Sequence, residues 1–176
     1  MLNNLKNCSN NPFDCFEKKF GYKTNLFMKP CEDGSSIDIF KISNDEDYKK
    51  AKLNCLNPER EFIFEESIEG REFTVTIIGN KCYPVIEIKT QNDFYDYDAK
   101  YISDDTILDQ AKLSDNELNI INDIALRAFH ALKCSGWARV DIIQDINGNF
   151  NVIEINTVPG MTCLLYTSPS PRDSLS

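Results

Sequence analysis

The sequence predicts an α+β fold with largely antiparallel sheets. Three observations carry that reading. Short strand-like runs alternate with two well-signalled helices, tight-turn dipeptides separate neighbouring strands, and no internal repeat runs through the 176 residues. A composition of 41% hydrophobic and 27% charged residues is ordinary for a globular protein. At this length the chain suits one domain or two small ones, burying roughly 70% of the unfolded surface.

The elements follow in order. The first twelve residues are Asn-rich and read as a frayed end. Phe13 to Phe20 reads as a helix ending at Gly21, and Leu26 to Lys29 as a strand stopped by Pro30. A turn-rich loop through Gly34-Ser35-Ser36 leads into a strand from Ile37 to Ile42. Ser43 with Glu46 predicts a capping box for a charged helix reaching about Asn54. Glu61 to Glu66 is strand-like and Ser67 to Gly70 hinge-like; strands at Phe73 to Ile78 and Cys82 to Ile88 flank a Gly79-Asn80 turn. Asn92 to Asp105, polar and aromatic without a period, reads as a functional loop. Ser114 and Glu117 form a second capping box, opening a helix with Leu118, Ile121, Ala125, Ala128, Phe129 and Leu132 on one stripe, closed by Gly136. His130, the only histidine, lies off that stripe and reads as a surface residue.

Two further strands, Trp137 to Ile143 and Asn151 to Thr157, surround Asn147-Gly148. That dipeptide favours a two-residue type I′ turn, with positive φ at both positions. Counting outward from it, Asp141 faces Glu154 and Arg139 faces Asn156. All four side chains then share one face, because residues two apart point the same way. Opposed carboxylates repel unless a cation lies between them. Two carboxylates and an amide are hard oxygen donors, suited to Mg²⁺ or Mn²⁺ rather than zinc. The pattern predicts a divalent-metal site at Asp141, Glu154 and Asn156.

A net charge of −9 argues against nucleic acid as a partner, since such binding rests on neutralising phosphates. Seven cysteines show no C-x-x-C spacing and no signal peptide precedes them, which predicts a reduced, cytoplasmic protein. No apolar run approaches the ~18 residues that span a bilayer. The Ser/Pro-rich stretch 164–176 breaks abruptly from what precedes it and reads as a non-native, disordered tail.

Four segments, in order and spacing, resemble the D-alanine–D-alanine ligase family of the ATP-grasp superfamily. They are Met28 to Ser36, Phe64 to Val75, Phe94-Tyr95-Asp96-Tyr97-Asp98-Ala99-Lys100-Tyr101, and Gly136 to Asp141 together with Glu154-Ile155-Asn156-Thr157-Val158-Pro159-Gly160-Met161-Thr162. The resemblance implies an ATP-grasp fold: two mixed α+β subdomains with mainly antiparallel sheets, clasping ATP. Residues 1–69 would be a partial small subdomain and 70–163 a C-terminally truncated large one.

It also implies roles. Lys29 and Lys100 would reach the phosphates, and the loop carrying Ser35 and Ser36 would close over them. Glu65, Glu66 and Ile68 would meet the adenine, and Glu72 the ribose. Two Mg²⁺ or Mn²⁺ ions would sit on Asp141, Glu154 and Asn156. Arg139 and the Gly160 N–H would stabilise an oxyanion, and Tyr101 with Ser35 would orient substrate. The implied reaction joins two D-alanines for peptidoglycan synthesis, with a homodimer in the full-length protein. D-lactate or D-serine could replace the second alanine.

Three departures accompany the resemblance. The family's N-terminal domain does not precede this core, Cys163-Leu164-Leu165-Tyr166 replaces the Ser-x-Ser-Leu that follows Met-Thr, and Asp38 stands where the family has glycine. They predict a ligase fragment that cannot complete the reaction alone, with Asp38 weakening triphosphate binding unless it points away. Rival readings are another ATP-grasp carboxylate–amine ligase, a non-catalytic nucleotide-binding module, and an interaction protein built on the Pro-rich tail.

Overall fold

The computed structural model describes residues 11–32, 38–89 and 107–157, together with the backbone of Asn4–Lys6. The loops carrying Ser35, Ser36, Lys100 and Tyr101, the Gly160 segment and the 164–176 tail lie outside the described residues. Contacts group the chain into two units. One runs to Gly70 and includes Ile143–Ile153; the other comprises Arg71–Ile142 and the residues from Glu154.

The first unit contains β1 (Asn4–Lys6), α1 (Pro12–Phe20), β2 (Leu26–Pro30), β3 (Phe40–Ile42), α2 (Asp45–Asn54) and β4 (Phe62–Glu66). Its four strands run antiparallel in the order β1-β4-β2-β3. Alternation sorts the two faces. Leu26, Met28, Ile42, Phe62 and Phe64 are buried in one cluster with Phe16 of α1 and Ala51 of α2. Both helices thus cover the same face, and Lys29 and Glu65 project from the other.

Local chemistry sets the helix ends. Asn11 caps α1 by accepting from Phe13 and Asp14, Pro12 opens it, and Gly21 closes it at φ 85°. For α2 the cap is Asn44 rather than the expected Ser43: its Oδ1 accepts from the N–H groups of Glu46 (2.9 Å) and Asp47 (3.0 Å). The strand expected from Ile37 begins at Phe40, because Asp38 sits at φ 55°, a left-handed conformation no strand accommodates.

The other elements are β5 (Gly70–Ile78), β6 (Lys81–Cys82), β7 (Ile86–Lys89), β8 (Ile107–Gln110), α3 (Asp115–Ala131), β9 (Trp137–Asp145) and β10 (Phe150–Asn156). They build a sheet of order β10-β9-β5-β7-β8, with β6 also paired to β5. The expected strand from Cys82 to Ile88 is split. Ile78 pairs with Lys81 across Gly79-Asn80, but by Thr74↔Ile86 the register has moved one residue. Tyr83-Pro84-Val85 takes up that residue as a bulge, where proline's missing N–H does no harm.

Phe73, Val75, Ile77, Ala138, Val140 and Ile142 are buried, as are Ile121, Ala125 and Phe129 of α3. The capping box on α3 forms as expected, with Ser114 and Glu117 each accepting from the other's backbone N–H. The helix stops at Ala131, however, because Lys133 already turns left-handed (φ 54°) ahead of Gly136 (φ 76°), and Leu132 is left exposed. His130 is exposed.

Cys15 is disulfide-bonded, contrary to the reduced chain expected, while Cys31, Cys55, Cys82 and Cys134 form no disulfide. Among the described residues no helix is long and apolar enough to cross a membrane.

Candidate functional site

The candidate metal residues stand on the polar face of the second sheet. Thr74 and Glu72 lie two apart on β5, Arg139 and Asp141 two apart on β9, and Glu154 and Asn156 two apart on β10. Asp141 is the hub. Arg139 forks onto its carboxylate, with Nε 2.9 Å from Oδ1 and Nη2 2.8 Å from Oδ2. Asn156 Nδ2 donates to Asp141 Oδ2 and to Glu154 Oε1, both at 3.1 Å. Thr74 Oγ1 donates to Asp141 Oδ1 at 2.7 Å from the neighbouring strand. Asp141 and Thr74 are buried; Glu154 is exposed.

This arrangement corrects the turn from which it was predicted. Gly148 N–H donates to Asp145 O and Asp145 N–H to Asn149 O, both at 2.9 Å. The central turn residues are therefore Ile146 and Asn147, and only Gly148 has positive φ, at 84°. Asp145 also accepts from the Asn147 and Asn149 N–H groups at 2.9 and 2.8 Å, and those of Asn149 hold its carboxyl below the usual range. Such a side chain, bonding its backbone two residues on, outweighs the Asn-Gly preference. Counted outward from the Asp145 and Asn149 pair, Ile153 would face Asp141, with Glu154 and Asn156 on the other face. The Asn156–Asp141 hydrogen bond excludes this, so one residue is taken up as a bulge between turn and site.

The donor set suits a hard divalent cation: two carboxylates and an amide, with no histidine or cysteine among them. Among the described residues there is no cluster of three His, Cys, Asp or Glu side chains. Asn156 presents its amide nitrogen to both carboxylates, so ligation would require the amide to turn its oxygen inward.

In the first unit, Lys29 and Glu65 sit diagonally across β2 and β4, on the face the helices leave open. Nζ lies 2.5 Å from Oε2, with side chains 22% and 13% exposed. Tyr22 donates its hydroxyl hydrogen to Glu66, and Ser67 N–H bonds Asn25 O at 2.8 Å, tying the segment before Ile68 to the loop ahead of β2. Asp38 is turned onto Arg60 and accepts from Leu56 N–H at 2.8 Å.

Comparison with known proteins decides the family. The family model described as D-ala D-ala ligase C-terminus matches residues 3–171. This chain belongs to the D-alanine–D-alanine ligase C-terminal family. A D-alanine–D-alanine ligase of Pseudoalteromonas translucida is 42% identical over 138 residues, covering 78% of this chain and 45% of the relative. The chain thus spans about half the length of the curated relatives it matches. Among solved structures, a D-alanine–D-alanine ligase of Bacillus anthracis superposes with TM-score 0.74 at 30% identity, covering 92% of this chain and 52% of that one. The same enzyme complexed with ATP gives 0.69 at 27% identity, covering 92% and 50%. The fold is accordingly the ATP-grasp α+β fold of these ligases.

Of the residues the ligase resemblance singles out, Lys29 and Glu65 meet in one unit, and Arg139, Asp141, Glu154 and Asn156 in the other. Glu72 is half-buried, two residues from Thr74 on β5. Ser35, Ser36, Lys100, Tyr101 and Gly160 fall outside the described residues. Thr74 was missed. Its signal was a hydroxyl inside the apolar run Phe73-Thr74-Val75, two places from Glu72.

Proposed function

We propose that the protein is the ATP-binding part of an ATP-dependent carboxylate–amine ligase, and that the full-length enzyme joins two D-alanines to D-alanyl-D-alanine. The observation that carries this reading is the convergence of Arg139, Asp141, Glu154 and Asn156 on one sheet face, in a chain of the ligase family. A carboxylate oxygen of the first D-alanine attacks the γ-phosphorus of ATP, and the bond to ADP breaks. The amine of the second attacks the resulting acyl carbon, phosphate leaves, and the amine loses a proton.

Most of the catalysis is positioning and charge neutralisation. Lys29 and Lys100 hold phosphate oxygens, with Ser35 and Ser36 closing over them. Glu65, Glu66 and Ile68 bind adenine, and Glu72 accepts from the ribose. Arg139 and the Gly160 N–H stabilise the tetrahedral oxyanion; one such donor contributes ~3 kcal/mol, about a hundredfold in rate. Tyr101 and Ser35 orient the substrate. Mg²⁺ or Mn²⁺ on Asp141, Glu154 and Asn156 would offset phosphate charge. Because ATP is consumed, the reaction is assigned to the cytoplasm.

The test is calorimetric titration of ATP into the chain, with and without Mg²⁺, alongside the Asp141→Ala/Glu154→Ala double variant. Metal-dependent binding lost in the double variant is expected. Metal-independent or absent binding by a folded chain would overturn the reading.

A further inference from the structure

We propose that Thr74 is a positioning residue for the divalent cation, holding the Asp141 carboxylate in place from the neighbouring strand. The proposal rests on the metal-site reading above and deepens it. The structural basis is the 2.7 Å hydrogen bond from Thr74 Oγ1 to Asp141 Oδ1, between side chains on β5 and β9. Thr74 is 6% exposed and Asp141 6% exposed, so water does not readily replace the bond.

What distinguishes Thr74 is its independence from the rest of the cluster. Among the described residues Asp141 has three partners: Arg139, Asn156 and Thr74. Asn156 must withdraw its amide nitrogen from Asp141 to offer an oxygen to a cation. Arg139 shares β9 with Asp141, so its fork moves with the strand that carries the ligand, and it is drawn toward any anionic substrate group. Thr74 alone comes from β5 and needs no change when a cation arrives. The β-branched threonine side chain is also restricted at χ1, which limits where its hydroxyl can point.

Two effects of that hydroxyl oppose each other. Accepting its hydrogen bond draws electron density from Oδ1 and weakens it as a donor to metal. The same bond restricts the carboxylate to one orientation before the cation binds. Oδ1 already accepts from the Arg139 Nε, so the further electronic effect of a neutral hydroxyl is small. Losing the cross-strand anchor is the larger effect. Partners that orient metal ligands commonly change affinity by ~10–100-fold when removed.

The test is Mn²⁺ titration of the full chain, followed by loss of the free-ion EPR signal, for wild type, Thr74→Val, Thr74→Ser and Asp141→Asn. Thermal melts of each variant report folding. Thr74→Val should weaken Mn²⁺ binding about tenfold or more, while Thr74→Ser, which keeps the hydroxyl, stays near wild type. If Thr74→Val does not fold, Thr74→Ala reads the same loss. Binding abolished by Asp141→Asn but within twofold of wild type in Thr74→Val overturns the role of Thr74 alone. Thr74→Ser as weak as Thr74→Val overturns it too, because packing and not the hydroxyl would then matter. Mn²⁺ binding that survives Asp141→Asn overturns the metal-site reading itself, as does a wild-type chain that binds none.

Discussion

Lys29 and Glu65 hold each other, Nζ to Oε2 at 2.5 Å, although the proposed roles send one to the phosphates and the other to the adenine. An ammonium so engaged must leave its carboxylate before it reaches a phosphate. Part of the nucleotide's binding energy therefore goes into opening this pair. Glu65→Gln keeps an amide oxygen for the adenine amine and weakens the hold on Lys29. Its ATP dissociation constant, measured by calorimetry with Mg²⁺, should be no higher than wild type. Lys29→Met should raise it about tenfold or more, since a hydrogen bond to a charged group contributes ~1.5–3 kcal/mol. A tenfold weaker Glu65→Gln would show that the carboxylate's charge is needed at the base.

Asp38, set by the resemblance at a family glycine, sits at φ 55° with its carboxylate pointing to Arg60 and the Leu56 N–H. The expected electrostatic penalty on triphosphate binding is thereby offset. Asp38→Gly should change ATP affinity less than about threefold, because a paired charge exerts little field at a distance. Arg60→Met instead leaves a carboxylate that is 7% exposed without its cation. Urea unfolding of that variant should show a loss of about 3 kcal/mol. Asp38→Gly binding ATP more than tenfold tighter would mean the charge is not neutralised.

The sequence made local features legible and hid those that depend on pairing. The Ser114 and Glu117 cap could be read because its chemistry lies within four residues. The end of α3 could not, since the left-handed residue is Lys133, a type with no preference for it. β8 was missed because Ile107-Leu108-Asp109-Gln110 has no alternation and is a strand only through its ladder with β7. The convergence of Asp141 with Asn156 was anticipated from the wrong turn, the real one compensated by an irregularity further down the hairpin. The Lys29–Glu65 pair and the Thr74 bond were out of reach, because both follow from strand neighbours set by tertiary structure.

Gly70 is needed for space rather than for flexibility. A Cβ added there would lie 1.8 Å from the backbone carbonyl oxygen of Gln144. The obstructing atom belongs to a strand, so it cannot swing aside as a side chain would. Gly70→Ala should cost about 1–3 kcal/mol, the range for forcing extra atoms into packed structure. Urea unfolding measures this directly. A loss below about 0.5 kcal/mol would show that the strands separate freely at this point.

Arg71 reaches Glu87 diagonally across β5 and β7, where Glu87 pairs with Phe73, with Nε–Oε1 2.8 Å and Nη2–Oε2 3.1 Å, and the guanidinium lies 4.9 Å from the Phe73 ring centre. The hydrogen bond from Arg71 holds the Glu87 carboxyl below the usual range; burial opposes this, and the charges of Arg71 and then Lys89 add to it. The same bond raises Arg71 above its ordinary value, beyond any working pH, so its ionisation does not vary in a stability measurement. Glu87 does vary. Its folded-state value is depressed, so its stabilisation is present above the unfolded value near ~4.3 and is lost as pH falls through the folded one. Melting temperature should therefore drop more steeply below about pH 4.5 in wild type than in Glu87→Gln, which has no proton to take up. The amide variant should start lower at neutral pH, and the two curves should converge in acid. Parallel curves from about pH 6 down to 3 would show that Glu87 titrates alike in the folded and unfolded chains, and that the fork with Arg71 adds nothing to stability.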